Sequence, residues 1–273
     1  MVGVAGGDGG AVAGLTTAAV RAGYEGAALR WADGPERLYA VLARALVAAA
    51  PVPVTGRRVL DLGAGTGVAG RAALAAGAGQ VVAADLAPAM LRAGRTGPRP
   101  VAGDAAALPF RDGSFDVAVA AFCVNHMTSV VTGLREARRV APAIAASTFA
   151  AGWSHPAKDA VDQVLRASGF RPPAWHVALK QDIEPLVGDP ERLAAFAAAA
   201  GYRSVRVHTA TVETGLSSPA QLAAWRLGMA HVAPFLGALD PAAQQDIRRA
   251  AERAVAGSGA GRLVVPMVIL AAR

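Results

Sequence analysis

One run of thirteen residues constrains this chain more than any other: Arg58-Val-Leu-Asp-Leu-Gly-Ala-Gly-Thr-Gly-Val-Ala-Gly70. Val59, Leu60 and Leu62 read as a buried strand. Gly63, Gly65 and Gly67 remove Cβ atoms where the backbone must turn tightly and let a ligand approach. From Val68 to Ala76 the pattern becomes a small-residue helix. A strand, a glycine turn and a helix form the first half of a nucleotide-type βαβ unit. The run fits two patterns at once, G-x-G-x-x-G from Gly65 to Gly70 and D-x-G-x-G-x-G from Asp61 to Gly67. With 31 glycines in the chain, either match alone is weak, and the remaining residues must decide.

The flanking order is that of an α/β protein. Met1–Gly14 reads as disordered and lacks the charged flank of a signal peptide. Ala18–Arg30 reads as a short helix or helix pair, and Pro35–Ala50 as a helix with Leu38, Leu42 and Leu46 on one face. After the glycine run, strands are expected at 80–84, 100–103, 115–122 and 143–149, alternating with helices such as 88–95 and 130–140. This alternation predicts a doubly wound, mostly parallel sheet. The rhythm then breaks. Residues 152–188 show one helix, 157–167. Helices follow at 190–200, 219–235 and 241–256, with strands at 204–214 and 263–271. Helical insertions near the carboxyl ends of a sheet are suited to cap a site there.

In an open α/β sheet, ligands bind beyond the carboxyl ends of the strands. Asp61, Asp85 and Asp104 end three successive strands, and Phe122–Asn125 ends the fourth. Asp85 lies about 20 residues past the glycine turn, the spacing at which a carboxylate accepts from a ribose diol. Each Asp alone could be an N-cap or a turn residue; three in series point to a ligand.

Four segments in this order carry a resemblance: Val59–Gly67, Ala84-Asp-Leu-Ala-Pro-Ala-Met-Leu91, Gly103-Asp-Ala-Ala-Ala-Leu-Pro-Phe-Arg-Asp-Gly-Ser-Phe-Asp-Val117 and Arg135-Glu-Ala-Arg-Arg-Val140. Over residues 55–150 the chain resembles the class I S-adenosylmethionine-dependent methyltransferases, in particular the small-molecule group that includes the ubiquinone/menaquinone-biosynthesis type. The resemblance implies a Rossmann-like seven-stranded sheet with an antiparallel last strand and helical caps, in one domain spanning 1–273. Residues 1–50 would supply N-terminal helices, 55–150 the cofactor core, and 151–200 and 216–258 the cap.

It also implies residue roles toward S-adenosyl-L-methionine. The turn Gly63, Ala64, Gly65, Gly67 would face the methionine part, and Asp61 would hold its ammonium, directly or through water. Asp85 would accept both ribose hydroxyls, and Leu86 and Met90 would pack on the adenine. Asp104 and the Ala105 backbone would read the adenine edge, and Phe122 would stand beside the sulfonium. Two departures from the family pattern stand out. Ala141-Pro-Ala143 replaces a longer glycine-containing turn. Cys123-Val-Asn-His126 replaces the Asn-Pro-Pro-aromatic sequence of amide and base methyltransferases, which argues against such acceptors.

Methyl transfer is an in-line displacement that depends on alignment. A hydroxyl, carboxyl or carbon acceptor can call for a base. His126, just past the fourth strand, is the candidate base. Tyr24, His126, Trp153, His155, Trp175 and Met229 are expected to line the acceptor pocket. His176 is a weaker cap candidate, while His208 and His231 read as structural. Cys123 reads as a small buried hydrophobe. As the single cysteine it excludes an internal disulfide and argues against a zinc site.

The net charge is +7, but only Lys158 and Lys180 are lysines and the arginines are scattered. No basic stripe with interleaved aromatics appears, which argues against a nucleic-acid partner. No run of about 18 apolar residues suggests a membrane span. The expected protein is cytoplasmic and takes a small-molecule acceptor. Its oligomeric state is not legible, a homodimer being one option, and no metal is expected. Two rival readings remain at this stage: an NAD-dependent oxidoreductase, and a cofactor-binding, non-methylating enzyme on the same fold.

Overall fold

The computed structural model describes residues 14–94 and 97–273; the disorder expected for the first residues lies outside them. Two helices open the chain, α1 (Thr17–Asp33) and α2 (Pro35–Ala48), then β1 (Arg58–Leu62), α3 (Val68–Ala75), β2 (Gln80–Asp85), α4 (Pro88–Ala93), β3 (Arg99–Ala102), β4 (Val117–Ala121), α5 (Val130–Val140) and β5 (Ile144–Phe149). The second half contains α6 (Pro156–Ala167), α7 (Ala174–Ala178), α8 (Glu184–Val187), α9 (Pro190–Ala199), β6 (Val205–Glu213), α10 (Pro219–Leu227), α11 (Ala233–Gly237), α12 (Pro241–Gly257) and β7 (Val264–Ala272).

The seven strands lie in the order β3-β2-β1-β4-β5-β7-β6. All neighbouring pairs are parallel except those of β7, which runs antiparallel to both β5 and β6. The mostly parallel sheet with an antiparallel last strand is therefore as expected. Its order reverses between β1 and β4, so the crevice for a ligand opens above those two strands. In β4, Val117, Ala118, Val119 and Ala120 are fully buried, as a strand covered on both faces requires. Helix α2 covers one sheet face: Leu38, Leu42 and Leu46, spaced one helical turn apart, have no exposed surface. Burial of each contributes about 1.5–3 kcal/mol. The alanines of β4 and β5 leave room for this helix to lie close on the sheet.

Helix α1 is one continuous helix, capped by Thr16, whose Oγ1 accepts from Ala19 N–H. Three departures from expectation have local causes. First, the β3–β4 crossover carries no helix. Its loop is pinned instead by Arg139, which reaches in from α5 and donates to the Leu108 and Phe110 carbonyls, Asp112 and Glu136. The Leu108 N–H in turn donates to Glu136 at 3.0 Å. Arg139→Leu is expected to leave two loop carbonyls unpaired and Glu136 without its charged partner, and to cost about 1–3 kcal/mol in thermal unfolding. Arg139→Lys should not restore it, because an ammonium cannot reproduce the fork; full rescue by lysine would contradict this account.

Second, residues 219–235 form two helices, not one. A Cβ at Gly228 would meet Pro35 Cδ at 2.4 Å and the Arg30 carbonyl at 2.7 Å. Helix α10 stops at this close approach to α1 and α2. Third, residues 174–187, in the stretch where only the helix 157–167 is expected, contain α7, a π-helical turn at Leu179–Ile183 and α8. Pro173 and Pro185 stand at helix starts, where a missing N–H costs nothing.

Candidate active site

The glycine turn is built as its sequence demands. Gly63, Gly65 and Gly67 have φ values of +65°, +56° and +83°, a region closed to most side chains. A Cβ on Gly63 would stand 2.3 Å from Cys123 Sγ, and one on Gly65 would stand 3.3 Å from Met90 Cε. The turn thus presents bare backbone to a cavity lined also by Ala64, Asp85, Leu86, Met90, Asp104, Ala105 and Phe122. Gly67 is buried at the start of α3, behind that lining. Gly70 faces the opposite way: a Cβ there would meet Pro98 Cγ at 2.3 Å and Asp61 Oδ2 at 2.9 Å. It is a packing glycine, so the third position of the dinucleotide pattern does not serve a ligand here.

The three strand-end aspartates differ. Asp85 Oδ2 accepts from Gly65 N–H at 2.7 Å and Oδ1 from Ala87 N–H at 2.8 Å. Its carboxylate spans β2 and the glycine turn, with acceptor lone pairs left over. Burial raises its pKa, and the two N–H donors oppose that rise. Asp104 Oδ1 accepts from Ala106 N–H at 2.8 Å, which shapes the turn that offers the Ala105 backbone. Asp61 does not reach the cavity lining. It is 1% exposed, its Oδ2 accepts from Gly70 N–H at 2.6 Å, and its Oδ1 has no partner. Burial pushes its pKa up to about 7, which the Gly70 N–H partly offsets.

Beyond β4 the cavity becomes aromatic. Phe122 holds φ +54°, a strained value for a residue with a Cβ. Its ring packs 4.4 Å from Phe149 and 5.2 Å from Tyr39. Tyr24 of α1 reaches across to His126, with Oη 2.9 Å from Nε2. His126 Nδ1 lies 3.2 Å from Asn125 Oδ1. An amide oxygen only accepts, so Nδ1 donates to it and Nε2 accepts from Tyr24. Burial pushes the His126 pKa down to about 4, with the Phe122 carbonyl acting against the shift and the Lys180 charge adding to it. The imidazole is neutral at physiological pH. Burial also raises the Tyr24 and Cys123 pKa values, so both stay protonated.

Of the expected acceptor-pocket residues, Tyr24, His126, Trp175 and Met229 line this cavity. Trp153 lines a neighbouring hollow instead. His155 lines neither: it precedes α6, and its Nδ1 accepts from Ala157 N–H as an N-cap. The expected pocket role for His155 is corrected accordingly. Sequence reasoning missed Trp31, Tyr39, Phe149 and Glu184, which also form the wall. It also missed His231, read as structural, which lies on that wall stacked on His176 with ring centroids 3.6 Å apart. No local pattern announces these residues, because α1, α2, α8 and the α10–α11 turn bring them together from distant parts of the chain.

The fold, the glycine cradle and the carboxylate at the second strand end suit a nucleoside ligand, and the orphaned Asp61 oxygen behind them suits a cationic one. Residues 60–142 match the family model for a methyltransferase domain. The chain belongs to the class I S-adenosylmethionine-dependent methyltransferases, and its cofactor is S-adenosylmethionine. It is 33% identical over 195 residues to a demethylmenaquinone methyltransferase of Roseiflexus sp., covering 63% of this chain and 81% of that protein. It is 36% identical over 138 residues to a malonyl-[acyl-carrier protein] O-methyltransferase of Halorhodospira halophila, covering 48% of this chain and 47% of that one. The chain thus spans about half the length of the latter. Among solved structures, a protein of Anabaena variabilis described as a methyltransferase of an antibiotic biosynthesis pathway shares the fold, with TM-score 0.60 at 15% identity over 86% of this chain and 99% of that one. Among the described residues, no helix is long and apolar enough to cross a membrane.

Proposed function

We propose that this chain methylates a hydroxyl-bearing small molecule with an aromatic or quinol-like body. The observation that carries the reading is the Tyr24–His126 pair, 2.9 Å apart, in the same cavity as the glycine turn and Asp85. The bound cofactor would supply an electrophilic methyl group on a sulfonium. Backbone of Gly63–Gly65 would cradle its methionine part, with Asp61 behind the turn balancing the ammonium. Asp85 would accept from the ribose hydroxyls, Leu86 and Met90 would pack on the adenine, and Asp104 with Ala105 would hold its edge.

On the acceptor side, Phe122, Tyr39, Phe149 and Trp175 exclude water and present flat apolar surface. The acceptor hydroxyl would donate to Tyr24 Oη while Tyr24 donates to His126 Nε2. As the acceptor oxygen takes the methyl group and the methyl–sulfur bond breaks to leave a neutral thioether, the acceptor's proton would pass to Tyr24 and the Tyr24 proton to His126. An imidazole of so low a pKa is a weak base, so the proton leaves with the transfer and not ahead of it. Asn125 fixes the tautomer that makes this direction available. The oxidoreductase alternative is not favoured, since Gly70 is buried in packing and the relatives above are methyltransferases.

His126→Gln is expected to lower kcat by about 10²–10⁴, with S-adenosylhomocysteine affinity unchanged. In the wild type the His126 contribution should be constant above about pH 5 and fall away as pH drops through about 4, where the ring takes a proton. A kcat that His126→Gln leaves intact on an accepted substrate would remove the proton-transfer role.

A further inference from the structure

A second hollow of about 600 Å³ adjoins the first, and Tyr39, Phe149, His176, Glu184, Met229 and His231 line both. Its far walls are aromatic and charged. Phe149 and Trp153 stack with centroids 5.1 Å apart and planes 11° apart, and Trp225 lies 6.2 Å from Trp153. Lys158, Arg166, Lys180 and Arg226 line it against two carboxylates, Asp162 and Glu184. Asp162 takes Arg226 and Lys158, and Glu184 takes Lys180. Arg166 makes no ion pair among the described residues. The stacked rings of His176 and His231 are held neutral, chiefly by burial and next by the Arg226 charge, so they add nothing to the positive side of this balance.

Arg226 is the residue with a donor to offer. It is only 8% exposed. Its Nε donates to Asp162 Oδ1 at 2.6 Å and its Nη2 to Oδ2 at 3.0 Å. Its Nη1 makes no hydrogen bond among the described residues, and it is not one of the sealed polar atoms either. Asp162 thus fixes the guanidinium in place and leaves one nitrogen without a hydrogen-bond partner, in a side chain that lines the hollow. A buried, oriented and partly unused guanidinium is the arrangement that recognises an oxyanion. Its free nitrogen offers one charge-assisted hydrogen bond, enough to hold one oxygen of a carboxylate.

We infer that the second hollow is an acceptor subsite that holds a carboxylate of the substrate, with Arg226 Nη1 as its anchor and the Phe149–Trp153 stack against the substrate body. The inference rests on the methyltransferase reading above, because it places the reacting end of the same molecule at Tyr24 and His126.

The test is calorimetry on the full chain saturated with S-adenosylhomocysteine, using phenylpropionate, phenylpropionamide and phenylethyl phosphate as probes. Phenylpropionate is expected to bind at least about tenfold more tightly than its amide, as a hydrogen bond to a charged group implies. Arg226→Gln should erase that preference while S-adenosylhomocysteine affinity holds. Since that variant leaves Asp162 short of a partner, the double variant Asp162→Asn/Arg226→Gln is measured beside it and should likewise show no preference. Equal affinity for acid and amide in the wild type, binding of neither, or a preference that survives both variants would overturn the subsite. Tighter binding of the phosphate than of the carboxylate would overturn the choice of carboxylate. Failure of S-adenosylhomocysteine itself to bind would instead strike the methyltransferase reading, and is seen before any probe is added.

Discussion

Gly63→Ala is expected to abolish measurable binding of S-adenosylhomocysteine and to destabilise the protein. The added Cβ would stand 2.3 Å from Cys123 Sγ and 2.6 Å from its Cβ, on a backbone held at φ +65°. The sulfur can rotate aside but the Cβ cannot, because Gly63 and Cys123 follow closely on β1 and β4, which pair with each other. Overpacking and left-handed strain together suggest a loss of about 2–4 kcal/mol. The double variant Gly63→Ala/Cys123→Gly separates the two costs. It restores room but not the backbone preference, so it should recover part of the melting temperature. A Gly63→Ala protein that melts and binds like the wild type would show that the turn has slack it does not have here.

Asp85→Ala is the second large effect. It should weaken S-adenosylhomocysteine more than tenfold, because a ribose diol left without its acceptor costs about 1–3 kcal/mol. Asp85→Asn is the more telling variant. Gly65 and Ala87 both point N–H groups at this carboxylate. An amide can accept one of them but must turn its own NH₂ toward the other. Asn should therefore disturb the glycine turn as well as the ribose contact, and bind no better than Ala. Wild-type affinity in either variant would refute the ribose assignment.

The cofactor half was legible because its determinants are local. The glycine turn, Asp85 and Asp104 lie within some 45 residues, each at the end of a strand that announces itself by apolar residues. Gly70, by contrast, matched a ligand pattern, and only the approach of Pro98 and Asp61 shows it to be a packing glycine. The acceptor half was not legible for the complementary reason. His231 looks like any helix histidine until the end of α10 at Gly228, forced by Pro35 and Arg30, turns it toward the cavity. Arg226 looked like one more scattered arginine. Only the packing of α10 against α6 brings Asp162 to it and isolates one of its nitrogens. Trp153 and His155 sit two residues apart, yet one faces a hollow and the other caps a helix. The spacing of aromatic and histidine residues carries no such information when no regular element precedes them.

The walls around Tyr24, Trp175 and His231 come from segments on either side of the match at residues 60–142. None of them takes a place in the parallel part of the sheet. They are attached to it through helix contacts, as α1 is through α2 and α4. Strand register therefore places no demand on them, and changes there leave the ladder beneath intact. The two halves are separable parts in an engineering sense: a chimera that keeps residues 55–149, β6 and β7, and takes the helices that carry Tyr24, Trp175 and His231 from a relative, should shift toward the relative's choice of acceptor.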